Sequence, residues 1–385
     1  MQRRPSAHVR EGSHDAPAHA LGADPDQDTA AVIGTLLARY LTQRREEAAR
    51  SSEQFAKDVI DLLVDVVLRG GKRTRPAFLW WSWRGCGGES GGANAEAVLK
   101  VATALELLQA CALIHDDLMD GSPSRRGAPS AHVAFADRHR AAGLRGDAES
   151  FGASAAVLAG DLALVWADDL FQSAGLDAKA RRAAASPWQA MRTEIIAGQY
   201  LDLYGQSTGV DSPEESLRVA YLKSGLYTVE RPLHLGAAMA GAGPDLIASL
   251  RRAGRSAGVA FQLRNDLTGV FGGSGSAGEP AGEDIKDGAS TYLVAIALQR
   301  ARAHSRHEAE RQLRDAMGNT ELAPEDLRQV RDLLTALGAA DAVEARIEQL
   351  TADALTALEQ ARLQSPADER LPALVRRVAR RHPGS

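Results

Sequence analysis

AEAVLKVATALELLQACALIHDDLMD, residues 95–120, reads as one long apolar helix that ends in three carboxylates. Asp116 and Asp120 are one helical turn apart, so they share a face. Paired carboxylates on a rigid helix suit Mg²⁺, which takes hard oxygen ligands and keeps several waters. Arg125 and Arg126 follow five residues after Asp120, where they can grip a phosphate by bidentate hydrogen bonds. Gly127, Pro129 and His132 complete the segment. Carboxylates, a divalent cation and arginines together imply a diphosphate ligand. A bare DDxxD is as well explained by a solvated acidic helix end. The RRG, Pro and His that follow make chance a poor explanation.

Outward from this helix, the chain keeps a helical pattern. Apolar residues recur at helical spacing from Thr29 to about Arg50, and a second helix is expected from about Ser52 to Leu68, stopped by Gly70 and Gly71. Further helices are expected near residues 151–173, 180–206, 213–241, 244–269, 290–316, 324–336 and 340–362. The last, from about Leu371, is basic, with Arg376, Arg377, Arg380 and Arg381. It reads either as a solvated tail or as a flap near a phosphate site. Residues 1–28 lack periodicity and read as a disordered extension. Residues 270–289 are a glycine-rich loop, of a length that is usually functional or disordered. No strand alternation is sustained. The expected fold is therefore all-α: a single-domain helical bundle over residues 29–385, built around a central cavity.

Composition agrees. Of 385 residues, 44% are apolar but only 5% aromatic, with Ala and Leu dominant, which favours close-packed helices over sheets. A net charge of −5 argues against a general nucleic-acid binder, so any phosphate site must be local. The two cysteines, Cys86 and Cys111, have no metal-ligand spacing and fit a reducing cytoplasm. No run of 18 apolar residues occurs, so no transmembrane segment is expected.

Other stretches carry chemistry. Gly70-Gly71-Lys72-Arg73-Thr74-Arg75-Pro76 places three cations within four residues, behind glycines that let backbone approach a ligand. Gly198-Gln199-Tyr200-Leu201-Asp202-Leu203 and Lys223-Ser224-Gly225-Leu226-Tyr227-Thr228 follow. A lysine and a hydroxyl beside a glycine can hold a leaving diphosphate. Phe261-Gln262-Leu263-Arg264-Asn265-Asp266 brings a further acid and an amide.

In this order the stretches resemble the trans-prenyl diphosphate synthase (polyprenyl synthetase) family, from about Gly70 to about Leu293. The resemblance implies an Mg²⁺-dependent prenyltransferase that joins isopentenyl diphosphate to an allylic diphosphate, usually as a homodimer. It implies that Asp116 and Asp120 hold Mg²⁺ on the allylic diphosphate. Arg125, Lys223, Ser224 and Gln262 would assist there. Lys72, Arg75 and Arg126 would hold isopentenyl diphosphate, with Gln109 where the family often has histidine. Cys111 and Ala112, both small, stand where bulky residues stop chain growth early, so a C20 product of geranylgeranyl type is expected.

The chain also departs from the pattern. The second acidic motif has Asn265 for its first Asp and Gly269 for its last acid, leaving Asp266 as its charged member. Asn265 still offers a carbonyl oxygen to a metal, but without charge. Ala289 replaces an expected diphosphate-binding lysine, with Lys286 one turn away. Asn265-Asp266-Leu267-Thr268-Gly269 is also similar to the start of the metal motif of class I terpene synthases. Two alternatives thus stand beside the elongating synthase: a terpene synthase on the same fold, and a weakly active or inactive regulatory subunit of a prenyl synthase.

Overall fold

A computed structural model describes residues 23–209, 211–272 and 282–380 of the chain. Its helices are α1 (Thr29–Ser51), α2 (Glu53–Phe55), α3 (Asp61–Leu68), α4 (Thr74–Gly85) and α5 (Gly92–Met119). A hairpin of β1 (Ser124–Arg125) and β2 (Ala128–Pro129) leads into α6 (Ala131–Ala141), α7 (Ala148–Gln172), α8 (Ala178–Thr208) and α9 (Pro213–Val219). Then come α10 (Arg231–Met239), α11 (Pro244–Phe271), α12 (Glu283–Lys286), α13 (Tyr292–Ala303) and α14 (His307–Ala316). Helices α15 (Pro324–Ala336), α16 (Ala339–Ala361) and α17 (Ala367–Ala379) complete an all-α fold. Two π-helical segments, Ala56–Ile60 and Ala220–Glu230, join α2 to α3 and α9 to α10.

Helix α5 is the axis. Leu99, Leu105 and Leu108 on it are at most 2% exposed, and each such side chain contributes about 1.5–3 kcal/mol of burial. It packs against α7, α4, α6 and α1. One face stays half-buried: Gln109, Ala112, Leu113, Asp116 and Asp120, at spacings of three and four. That face is the wall of the site. A first apolar core surrounds α5 and takes in the N-terminal half of α11 through Leu250, Ala253 and Ala257. A second core is built by the C-terminal half of α11 (Leu263, Leu267, Val270) with α13 to α16.

Two glycine crossings fix the segment that carries Lys223. A Cβ on Gly198 of α8 would stand 2.3 Å from the Lys223 nitrogen, and one on Gly258 of α11 would stand 2.3 Å from the Gly225 oxygen. Backbones touch there, so no side chain fits.

The structure corrects several expectations. The helix expected over residues 290–316 is two, α13 and α14, separated by Ser305 in a left-handed conformation (φ +55°). Helix α4 was not anticipated; Phe78, Trp80, Trp81 and Trp83 bury it on all sides, so it lacks a one-faced pattern. Short α6 was also missed. Residues 1–22 of the expected extension, and residues 273–281 of the expected loop, lie outside the described residues. Residues 23–28 are not free: Asp26 accepts from Trp80 Nε1 at 2.9 Å and pairs with Arg84 at 2.8 Å. Finally, α5 and α7 are each long and apolar enough to cross a membrane by length and composition, although 83% of the apolar window of α5 is buried in the core.

Candidate active site

Where α5 ends, the adjacent carboxylates diverge, because successive helical residues point about 100° apart. Asp117 turns inward, 3% exposed, and accepts from Arg125 Nε at 2.7 Å. Asp116 turns to the open face. Its Oδ1 lies 2.8 Å from Lys223 Nζ, and that ammonium also reaches Asp202 Oδ2 of α8 at 2.7 Å. Oδ1 of Asp120 is buried without a hydrogen-bond partner, and Oδ1 of Asp116, buried too, meets the Lys223 ammonium. Two carboxylates one turn apart, one with a buried oxygen that nothing in the protein satisfies, fit a divalent cation.

Burial, and then the charge of Asp116, push the Asp120 carboxyl up to about 7. The charge of Asp287, on the loop after α12, adds to that rise. Burial disfavours the Lys223 ammonium, but Asp116, Asp202 and Asp120 more than offset it and hold its pKa above the usual range. On α11, Asp266 is buried and pushed up to about 7 by that burial, while Gln262 Nε2 donates to it at 2.7 Å. Asn265, one residue earlier, is exposed. Asp284 occupies the space a side chain at Gly269 would take: a Cβ there would stand 2.5 Å from its Oδ2.

A second polar group gathers about 10 Å further back along α5, at the level of Gln109. Arg75 Nη2 donates to Thr228 Oγ1 at 2.8 Å, its guanidinium carbon lies 4.2 Å from the centre of the Tyr227 ring, and its Nε is buried without a partner. Tyr227 Oη donates to Gln109 Oε1 at 2.6 Å, which leaves the Gln109 amide N–H groups free to face an anion. Arg73 is buried against Glu106 and donates to the Val67 carbonyl at 3.0 Å. Lys72 is exposed beside it.

The hairpin brings the two groups together. Arg126 and Gly127 both have positive φ, +53° and +73°, as a two-residue turn matching strand twist requires. Arg126 Nη1 then reaches the Gly70 carbonyl at 2.5 Å. Burial presses the Arg126 guanidinium below its ordinary range, and the charges of Arg73, Arg75 and Arg125 add to this although Glu106 opposes them. Cations so crowded are arranged for an anion.

Of the residues read from sequence, Asp116, Asp120, Arg125 and Lys223 come together, with Asp266 and Gln262 alongside on α11. Arg75, Gln109 and Arg126 form the second group. Ser224 is half-buried next to Lys223, Ala112 lies one turn below Asp116, and Cys111 is buried with its Sγ 3.8 Å from His115 Nδ1. His115 turns away to α7, 3.2 Å from the Val157 carbonyl. Sequence reading assigned no role to Asp117, Asp202, Tyr227 or Thr228. All four sat inside recognised stretches, and their polarity was the available signal.

A family model described as polyprenyl synthetase matches residues 57–334. The chain belongs to the polyprenyl synthetase family. This polyprenyl synthetase is 31% identical over 265 residues to a short chain isoprenyl diphosphate synthase of Methanothermobacter thermautotrophicus, covering 67% of this chain and 74% of that one. It is 34% identical over 258 residues to geranylgeranyl pyrophosphate synthase 11, chloroplastic, of Arabidopsis thaliana, covering 64% of this chain and 66% of that one. The fold is similar to that of a Corynebacterium glutamicum geranylgeranyl pyrophosphate synthase solved with isoprenyl diphosphate and magnesium. The identity there is 42% and the TM-score 0.86, over 91% of this chain and 99% of that one. The enzyme is a prenyltransferase of the trans-prenyl diphosphate synthase type.

Proposed function

We propose that this polyprenyl synthetase condenses isopentenyl diphosphate with an allylic diphosphate in the presence of Mg²⁺, giving geranylgeranyl diphosphate. One observation carries the reading: two separate polar groups, each suited to a diphosphate, sit at two levels of one face of α5. A protein that ionised a single allylic diphosphate would use the Asp116–Lys223 group and have no use for the Arg75–Gln109–Arg126 group. That difference favours chain elongation over terpene cyclisation.

Asp116 and Asp120 would hold Mg²⁺, which when bound supplies Lewis-acid neutralisation of diphosphate charge. Lys223 and Arg125 add fixed positive charge where the leaving diphosphate develops its own. Lys72, Arg75, Arg126 and the Gln109 amide orient isopentenyl diphosphate so that its double bond faces the allylic carbon. Proximity does the rest, since no protein nucleophile is required. Ala112 and Cys111 are both small where bulky residues would stop chain growth early, which supports a C20 product. So do the geranylgeranyl names of similar proteins.

The enzyme is read as a homodimer. Phe151, Leu158 and Val165 of α7 are exposed large apolar residues at seven-residue spacing, one stripe suited to self-packing across a two-fold axis. Burial pushes the thiols of Cys86 and Cys111 up to about 12, and unpaired, inert cysteines fit the cytoplasm.

The test is purified enzyme with Mg²⁺ and dimethylallyl, geranyl or farnesyl diphosphate, each with and without isopentenyl diphosphate, read by mass spectrometry. A longer diphosphate that forms only with isopentenyl diphosphate, ending at C20, is expected. A hydrocarbon or alcohol from one allylic diphosphate alone would overturn the reading in favour of a terpene synthase.

A further inference from the structure

We propose that Glu230 and Tyr221 are positioning residues for both polar groups of the site. Bonded to each other along the π-helical segment Ala220–Glu230, they hold it in the form that lets Lys223 and Thr228 face the site together. The inference rests on the assignment of the two groups to two diphosphates.

Glu230 is 0% exposed, and no step of the proposed condensation uses it. A buried carboxylate persists when it is paired and hydrogen-bonded. Tyr221 Oη donates to Glu230 Oε2 at 2.6 Å, Arg251 Nε donates to Oε1 at 2.9 Å, and Arg255 Nε lies 3.5 Å from Oε2. The Arg255 guanidinium carbon also lies 5.2 Å from the centre of the Tyr221 ring, which covers the bond. Burial, and then the bond to Glu230, push the Tyr221 hydroxyl up to about 12, so it stays a donor. Both arginines come from α11. That helix abuts the end of the segment: a Cβ on Gly254 would stand 2.6 Å from the Glu230 Cα.

Tyr221 and Glu230 are nine residues apart, and the helix type decides whether they meet. At about 3.6 residues per turn, nine residues make about two and a half α-helical turns, which puts the two side chains on opposite faces. At about 4.4 residues per turn, nine residues make about two π-helical turns, and the two share a face. The bond between them therefore selects the π form. The segment closes in that form, with the Arg231 N–H bonded to the Leu226 carbonyl five residues back. From Lys223 to Thr228 the backbone turns about 140° in an α-helix but about 50° in a π-helix. The π form thus lets Lys223 meet Asp116 while Thr228 meets Arg75. Relaxation to α geometry would turn one of them from the site. π-Helices are rare and mostly single turns, so two turns need such a tie.

The experiment is steady-state kinetics of the full-length enzyme with farnesyl and isopentenyl diphosphates, with thermal midpoints alongside. Tyr221→Phe keeps the ring and removes the bond. Its kcat should fall about tenfold and its KM for isopentenyl diphosphate rise about tenfold, as expected for one hydrogen bond to a charged group that serves both sites. The variant should remain folded at the assay temperature. Glu230→Ala should show the same two losses with a lowered thermal midpoint. Arg252→Gln, exposed on the same stretch of α11, should stay within about twofold of wild type. Thr228→Val should by itself raise the KM for isopentenyl diphosphate. Adding Tyr221→Phe to it should raise that KM little further, because the alignment lost is that of Thr228. Tyr221→Phe at wild-type kcat and KM, or multiplying the Thr228→Val effect in full, would overturn the inference alone. Wild-type enzyme that forms no longer diphosphate with isopentenyl diphosphate would overturn the proposed function, and this inference with it.

Discussion

Asp116 and Asp117 are neighbours in sequence and are placed for opposite tasks. One faces the site and meets Lys223; the other is buried and holds Arg125. DDxxD gives the composition of this pair, while the division of labour follows from which side of α5 is covered. Asp117→Ala should release Arg125. The kcat/KM for the allylic diphosphate should then fall about 10–100-fold, with the KM for isopentenyl diphosphate little changed. His234 gives a separate residue-scale prediction. Burial, then Arg231 and Arg251, push it down to about 4 from 6.5, and Arg231 Nη1 lies 3.0 Å from its Nδ1. The unfolded imidazole takes a proton below its ordinary pKa, whereas the folded one refuses it until about 4. Stability is thus complete above the unfolded pKa and is lost as pH falls toward the folded value. His234→Asn should lose less of its thermal midpoint than wild type between about pH 7.5 and about pH 4.5.

At the scale of elements, periodic helices such as α1, α11, α15 and α16 were legible because each buries one face and has clear ends. Helix α4 was not, since four large aromatics bury it all round. The π-helical segment Ala220–Glu230 was read as ordinary helix, because one extra residue per turn leaves no mark on composition. Its function is visible in the structure: it aims Lys223 at Asp116 and Asp202 while Tyr227 and Thr228, one turn on, address Gln109 and Arg75. One segment thereby serves both polar groups. Gly198→Ala should wedge α8 from this segment. We expect a loss of about 1–3 kcal/mol in the unfolding free energy from denaturant titration, and a drop in turnover larger than the lost folded fraction explains.

For the whole molecule, the family and the all-α class were readable from motif order and helical pattern. What sequence could not supply was how separate helices meet: the glycine crossings, the anchoring of Asp26 on α4, and the carboxylate of Asp284 beside Gly269. The exposed stripe on α7 belongs to this scale too. Leu158, 61% exposed, lies at its centre, and Leu158→Arg should convert a dimer to a monomer in analytical ultracentrifugation. An unchanged dimer would assign the stripe elsewhere.

The central claim is that one face of α5 supports two diphosphate sites. The direct measurement is calorimetric titration in Mg²⁺ with a non-ionising thiolo analogue of farnesyl diphosphate, followed by isopentenyl diphosphate. Wild type and the double variant Lys72→Ala, Arg75→Ala would be compared. The account predicts one equivalent of each ligand bound per wild-type chain, and loss of isopentenyl diphosphate binding alone in the variant. A single shared equivalent, or a variant that loses both ligands together, would contradict it.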